Sequence, residues 1–266
     1  MTNAPHPFGT LLRQWRQRRR LSQLDLALEA EVSQRHLSFV ESGRARPSRE
    51  MVLRLAERLS VPLRDRNLLL LAAGHAPAYG ERALDDAALG PAMEAVRLIL
   101  ASHEPWPALA VDRHWRLIAA NRLATRMMEG VAPALLAPPV NVLRLSLHPE
   151  GLAPRIVNLR AWKTHLLDRL RHDAEISADP ALLALAEELA GYPAGGDPPP
   201  GRAERERGMI ATPLRLRGPG GELSLLSATT VFGTATEVAL AELTLETFFP
   251  ADGETAAALR AMAASA

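Results

Sequence analysis

Gln34, Arg35 and Ser38 fall on one side of a segment that reads as a short helix. An amide, a guanidinium and a hydroxyl in that arrangement can offer paired donors and acceptors to the flat polar edge of a nucleobase. This is recognition chemistry, made of hydrogen bonds and charge rather than of bonds broken and formed.

Two short helices must hold that face. Ser22 and Ser33 stand where N-caps belong, each followed by a glutamine, Gln23 and Gln34, so that two helices start eleven residues apart. Ala30-Glu31-Val32 between them leaves room only for a tight turn, which sends the second helix across the first at a steep angle. Leu24, Ala27 and Leu28 before the turn, Leu37 and Val40 after it, and Leu11 with Trp15 upstream recur at helical spacing and predict a small shared core. Gly43 and Pro47 end the second helix. Val52, Leu55, Ala56 and Leu59 mark a fourth helix, and Pro62 opens a fifth that runs to Gly74.

These residues resemble the lambda-repressor-like, or XRE, family of helix-turn-helix DNA-binding domains over about residues 8 to 74. The glutamines opening both helices match at Gln23 and Gln34, and the serine-led recognition helix ending in Glu-x-Gly-x-x-x-Pro matches from Ser33 to Pro47. The resemblance implies that Gln23 anchors a phosphate and Gln34 reads a base, with Ser33, Arg35 and Ser38 as further readers. It implies that Arg44 and Arg46 hold backbone phosphates and that Arg16 pairs with Glu41, giving Glu41 a structural role. Phe39 departs from the polar residue often found there, and either meets a thymine methyl or packs inward.

Composition agrees with a nucleic-acid partner without requiring one. The net charge of the 266 residues is +1, but residues 1–82 hold 14 arginines against 8 acidic residues, while the remainder holds 17 basic against 22 acidic. Thirty arginines against the single Lys163 also point to compositional bias, so charge alone decides nothing. The absence of cysteine excludes disulfides and thiolate chemistry and suits a reducing cytoplasm. No secretory leader is read at the N-terminus, and no segment reaches the ~18 consecutive apolar residues of a membrane span.

Ala76 to Gly80 reads as a linker, dividing a domain over 1–80 from one over 81–266. Pro91 to Ala101 reads as a helix; Ala108 to Asp112 and Trp115 to Ala120 read as strands, with Asn121 capping a further helix. Helical patterns follow over Ile156 to Leu170 and Leu182 to Leu189, then a loop over Tyr192 to Gly208. Leu214 to Arg217, Leu223 to Phe232 and Val238 to Phe249 read as strands. The expected fold is therefore an α five-helix bundle followed by an α+β, PAS-like domain with an antiparallel sheet and a helical insert.

That order resembles the MmyB-like regulators, whose C-terminal ligand-binding domain is PAS-related. The resemblance is carried by Val111-Asp112, Trp115, Asn121, Asn141 to Leu145, Leu147-His148-Pro149, Gly151-Leu152, Asn158, Glu188-Leu189, Tyr192-Pro193, Phe232 to Thr234, Glu246 and Phe248 to Asp252. It implies a fatty-acid-like or other small apolar ligand with a polar head.

A sensory pocket needs apolar walls and a few polar anchors. Arg155, Asn158, Arg160, Trp162 and His165 near Leu152, Ile156 and Leu159 supply both, and if the ligand is acidic, Arg155 or Arg160 is the expected partner of its carboxylate. Three readings of the second domain stand open: a ligand sensor, a dimerisation module that binds nothing small, and an enzyme. No phosphate-binding loop, no Gly-x-Ser-x-Gly and no His-Glu-x-x-His occurs, and no cofactor or metal site is expected, since His165 and His172 make a poor ligand pair. The expected partners are double-stranded operator DNA, a second copy of the chain in a homodimer, and a small molecule.

Overall fold

The structure is a computed structural model that describes residues 8–196, 212–218, 220–233 and 235–265. Ser22 and Ser33 cap the two helices that the sequence predicts. Ser22 Oγ accepts the Asp25 N–H at 3.1 Å while Asp25 Oδ2 accepts the Ser22 N–H at 2.9 Å, a reciprocal capping box. Ser33 Oγ accepts the His36 N–H at 3.2 Å. The helices so opened are α2 (Gln23–Glu29) and α3 (Gln34–Glu41), joined with α1 (Phe8–Arg18), α4 (Arg49–Arg58) and α5 (Leu63–Ala72). Leu12, Trp15, Leu26, Leu37, Leu55 and Leu70 are among the side chains that fill their common core. A Cβ on Gly9 would lie 2.2 Å from the Glu41 carbonyl oxygen, so only glycine lets α1 approach the end of α3 this closely.

The stripe on α2 differs from expectation. Leu26 and Ala27 are buried, whereas Leu24 and Leu28 are 49% and 70% exposed. In so short a helix one apolar arc can face the core, and burying Leu26, Ala27 and Ala30 turns Leu24 and Leu28 to the other side.

The chain divides into two units, the first comprising Met1–Arg82, Glu175–Ser177 and Thr234–Ala241. Residues Ala76 to Gly80 are not a free linker. The fully buried Asn67 accepts the N–H groups of Ala78 and Tyr79 at 3.0 and 3.1 Å and donates to the Tyr79 carbonyl at 2.9 Å. Its amide also donates to Glu81 Oε1 at 2.7 Å. Gly80 forms a parallel bridge with Glu237, Val238 N–H donates to the Gly80 carbonyl at 2.8 Å, and Arg82 donates to Glu237 Oε1 at 2.6 Å. The strand expected from Val238 begins only at Thr244, because Val238–Ala241 forms a helical turn, α12, with Val238 wholly buried.

The second unit is built on a five-stranded antiparallel sheet in the order β2-β1-β5-β4-β3. Its strands are β1 (Ala108–Val111), β2 (Leu117–Ala120), β3 (Leu214–Gly218), β4 (Gly221–Val231) and β5 (Thr244–Pro250). Side chains alternate between its faces. Ala108, Ala110 and Leu245 meet Val96 and Leu100 of α6 (Gly90–Ser102) on one face. Leu109, Val111, Leu216 and Leu225 meet the helical insert on the other. The insert comprises α7 (Arg122–Met127), α8 (Pro133–Leu136), α9 (Val142–Leu147), α10 (Leu159–Ser177) and α11 (Pro180–Ala190). A C-terminal helix, α13 (Gly253–Ala264), buries Leu259 in the same core; the sequence reading did not find it. The loop expected over Tyr192 to Gly208 lies outside the described residues from 197 onward.

Candidate DNA-reading face and ligand cavity

Leu37 and Val40 turn one side of α3 into the core, which leaves Ser33, Gln34 and Arg35 exposed and Ser38 half-buried at the N-terminal half of the helix. The Arg35 guanidinium lies over the Phe39 ring at 5.4 Å, one turn along the same face. Phe39 is partly exposed beneath it, so it serves as a platform for Arg35 and is not sealed in the core. The Ser33 hydroxyl is engaged as an acceptor in the cap and keeps its proton to donate. Arg44 and Arg46 lie exposed just past the helix.

Gln23 is half-buried and donates from Nε2 to Glu41 Oε2 at 2.8 Å. An amide nitrogen carries two hydrogens, so one remains to reach a phosphate. The Arg16–Glu41 pair implied by the resemblance is present, at 2.6 and 3.0 Å, with both residues buried. Burial alone would push the Glu41 carboxyl up, but bonds from Arg16 and Gln23, with Arg13 at 3.5 Å, hold it below the ordinary glutamate range.

In the second unit a cavity of about 100 Å³ opens between the sheet and α10. Its walls are mostly apolar, with Trp115 and Trp162 belonging both to the core and to the lining. Polar groups enter from three places: Ser146 on α9, His165 and Arg169 one turn apart on α10, and Ser227 and Glu246 on neighbouring strands. Trp162 Nε1–H donates to Ser146 Oγ at 3.1 Å. Arg169 donates twice to Glu246, at 2.6 and 3.1 Å, and its guanidinium covers the Trp115 ring at 4.5 Å. Thr229 Oγ1 donates to the same carboxylate at 3.2 Å. Burial, then the Arg169 cation, pushes the His165 ring below the usual histidine range, so it is neutral at pH 7.

Of the five residues singled out for ligand contact, the structure brings Trp162 and His165 together on the cavity wall, their rings 5.4 Å apart. Arg155, Asn158 and Arg160 do not line it. Arg155 donates to the carbonyls of Met127 and Glu129, and Arg160 to that of Gly195. The buried Asn158 donates to the Pro213 carbonyl at 2.8 Å and accepts the Arg215 N–H at 3.1 Å, fastening β3 to the start of α10. The cavity residues not singled out for ligand contact, Arg169 and Glu246, had faint signals: Arg169 follows His165 by one helical turn, and Glu246 is the one acid in a strand of threonines and apolar residues.

Among the described residues no group of three histidine or acidic side chains gathers to hold a metal ion, and no helix is long and apolar enough to cross a membrane. Two families match the chain. The helix-turn-helix family covers residues 12–65, and the family described as MmyB-like transcription regulator ligand binding domain covers residues 92–262. The chain belongs to the MmyB-like transcription regulators. The helix-turn-helix match spans α2 and α3, and the cavity lies within the residues matched by the ligand-binding domain. No curated protein matches this MmyB-like chain. A solved structure described as an RNA-binding light-oxygen-voltage receptor is similar at 14% identity, over 97% of this chain and 60% of that one, with a TM-score of 0.25. The chain thus spans about 60% of that receptor's length.

Proposed function

We propose that this protein is a homodimeric, cytoplasmic regulator that reads an operator with Gln34 and Arg35, and whose grip on DNA responds to a small apolar ligand in the α10 cavity. The ligand is fatty-acid-like in plan, an apolar body with a polar head. The observation that carries the DNA half is the exposure of Ser33, Gln34 and Arg35 on the first turn of α3, with Leu37 and Val40 turned inward. This is the geometry that presents a recognition helix to the major groove. On this reading Gln23, Arg44 and Arg46 hold phosphates and Ser33 and Ser38 assist Gln34. What supports the ligand half is an apolar cavity with a few convergent polar groups, in a domain family defined by ligand binding.

A single helix-turn-helix makes few base contacts, so useful specificity calls for two copies on half-sites about one helical turn apart. Duplexes selected from a random pool should carry such paired half-sites, and footprinting should protect both. Protection of one asymmetric half-site by a monomer would contradict the dimer. A dimer that binds its operator but takes up no amphiphile would favour a plain dimerisation module.

A further inference from the structure

Resting on the reading of the cavity as a ligand site, we propose that the head of its ligand is uncharged, an alcohol, amide or ester, held by His165 and Ser227, and that the Arg169–Glu246 pair excludes carboxylates. Arg169 and Glu246 are the charged residues among the described residues that line the cavity, and they neutralise one another. The guanidinium gives two of its five N–H donors to the carboxylate and lays one face over Trp115 at 4.5 Å, so its charge is already met by an anion. Glu246 is only 4% exposed. A carboxylate competing for Arg169 would strand Glu246 as an unpaired buried charge, and a carboxylate that left the pair intact would itself be unpaired among apolar walls. Both outcomes are costly.

The uncommitted polar groups are neutral. Neither ring nitrogen of His165 and not the hydroxyl of Ser227 has a hydrogen-bond partner among the described residues, although both side chains line the cavity. A neutral imidazole presents one donor and one acceptor, and a serine hydroxyl presents both, which matches an alcohol or a primary amide. Ser146 keeps its proton after accepting from Trp162, and adds a third donor. The size of the cavity suits a short or medium chain, and Met127 and Met128 on its wall can repack around a longer one.

The test uses the full-length protein with three eight-carbon probes, octanoate, 1-octanol and octanamide, with dissociation constants from calorimetry and melting temperature as a second readout. The alcohol and amide should bind about tenfold or more tightly than the acid at neutral pH. Glu246→Gln, which leaves Arg169 without its anionic partner, should reverse the order in favour of octanoate. His165→Phe should weaken the alcohol and amide while leaving the acid where it was. Octanoate binding the unmodified protein as tightly as octanol overturns the proposal while the cavity still stands as a ligand site. If none of the probes binds or shifts melting, the ligand site itself falls, and the proposal with it. Should Glu246→Gln not fold, the wild-type series and His165→Phe still decide.

Discussion

Arg16 reaches from α1 to close two hydrogen bonds on Glu41 at the end of α3, and the Gln23 amide closes a third on the same carboxylate. Helix α3 is thereby fastened to both α1 and α2. Its register against the rest of the bundle depends on a buried charge that must stay paired.

Breaking that pair should be costly. Arg16→Ala should destabilise the bundle by about 3–5 kcal/mol, since it leaves Glu41 buried with only the Gln23 amide and the more distant Arg13. Urea unfolding followed by circular dichroism measures it, and a loss below about 1 kcal/mol would mean that solvent or Arg13 replaces the partner.

The same carboxylate gives a pH dependence with a definite sign. Its pKa is lower folded than unfolded, so the ionised form contributes stability that is complete above the unfolded value, about 4.3, and is lost as pH falls through the folded one. Melting temperature should therefore fall with acidification below about pH 4.5 in the wild type. In Glu41→Gln the fall should be shallower, from a lower starting point. Parallel pH profiles for the two proteins would remove Glu41 from the account.

On DNA, Gln34→Ala and Arg35→Ala should each cost about 1–3 kcal/mol on the selected operator and little on random duplex. Phe39→Ala should mimic part of the Arg35 loss by removing the ring beneath the guanidinium. Equal losses on both duplexes for Gln34→Ala would mean that α3 does not enter the major groove.

Phosphate contacts leave a different signature. Arg44→Ala and Arg46→Ala should weaken operator and random duplex alike, each lowering the slope of log affinity against log salt by roughly 0.9. An unchanged slope would place that arginine off the backbone.

Asn67 should matter more than its surface surroundings suggest. Asn67→Leu removes the acceptor of the Ala78 and Tyr79 N–H groups from a fully buried position and should cost about 1–3 kcal/mol. Glu237→Ala, which removes a bond to the half-exposed Arg82, should cost no more than about 1 kcal/mol. Comparable losses would contradict the role given to Asn67.

The parts of this structure that were legible in the sequence are those fixed by neighbours in the chain. Ser22 and Ser33 announce their helices because a cap acts within three residues. Asn121 does the same for α7, accepting the Ala124 N–H at 3.0 Å. What failed depends on distant partners. Leu24 and Leu28 look like core because their spacing is helical, but which arc of a seven-residue helix faces inward is set by its neighbours in space. Val238–Ala241 has the composition of a strand, yet it coils where Val238 N–H meets the Gly80 carbonyl, a bond across most of the chain. The alanine-rich Gly253–Ala264 carries too faint an apolar stripe to be recognised before Leu259 is seen buried. On the cavity wall, Trp162 and His165 are two of the polar-tipped residues singled out beside Leu152, Ile156 and Leu159, whereas Arg169 and Glu246 meet only when β5 is laid beside α10. Arg155 and Arg160 have the right charge and sequence position, but backbone carbonyls claim them.

The central claim is that the cavity and the operator are linked, and linkage is reciprocal. The direct measurement is the affinity of full-length protein for its selected operator, by fluorescence anisotropy, with and without a saturating amount of whichever eight-carbon probe most raises its melting temperature. The account predicts a change of about fivefold or more, matched by an equal change in probe affinity when operator is present. An operator affinity that stays the same while the probe is demonstrably bound would contradict it.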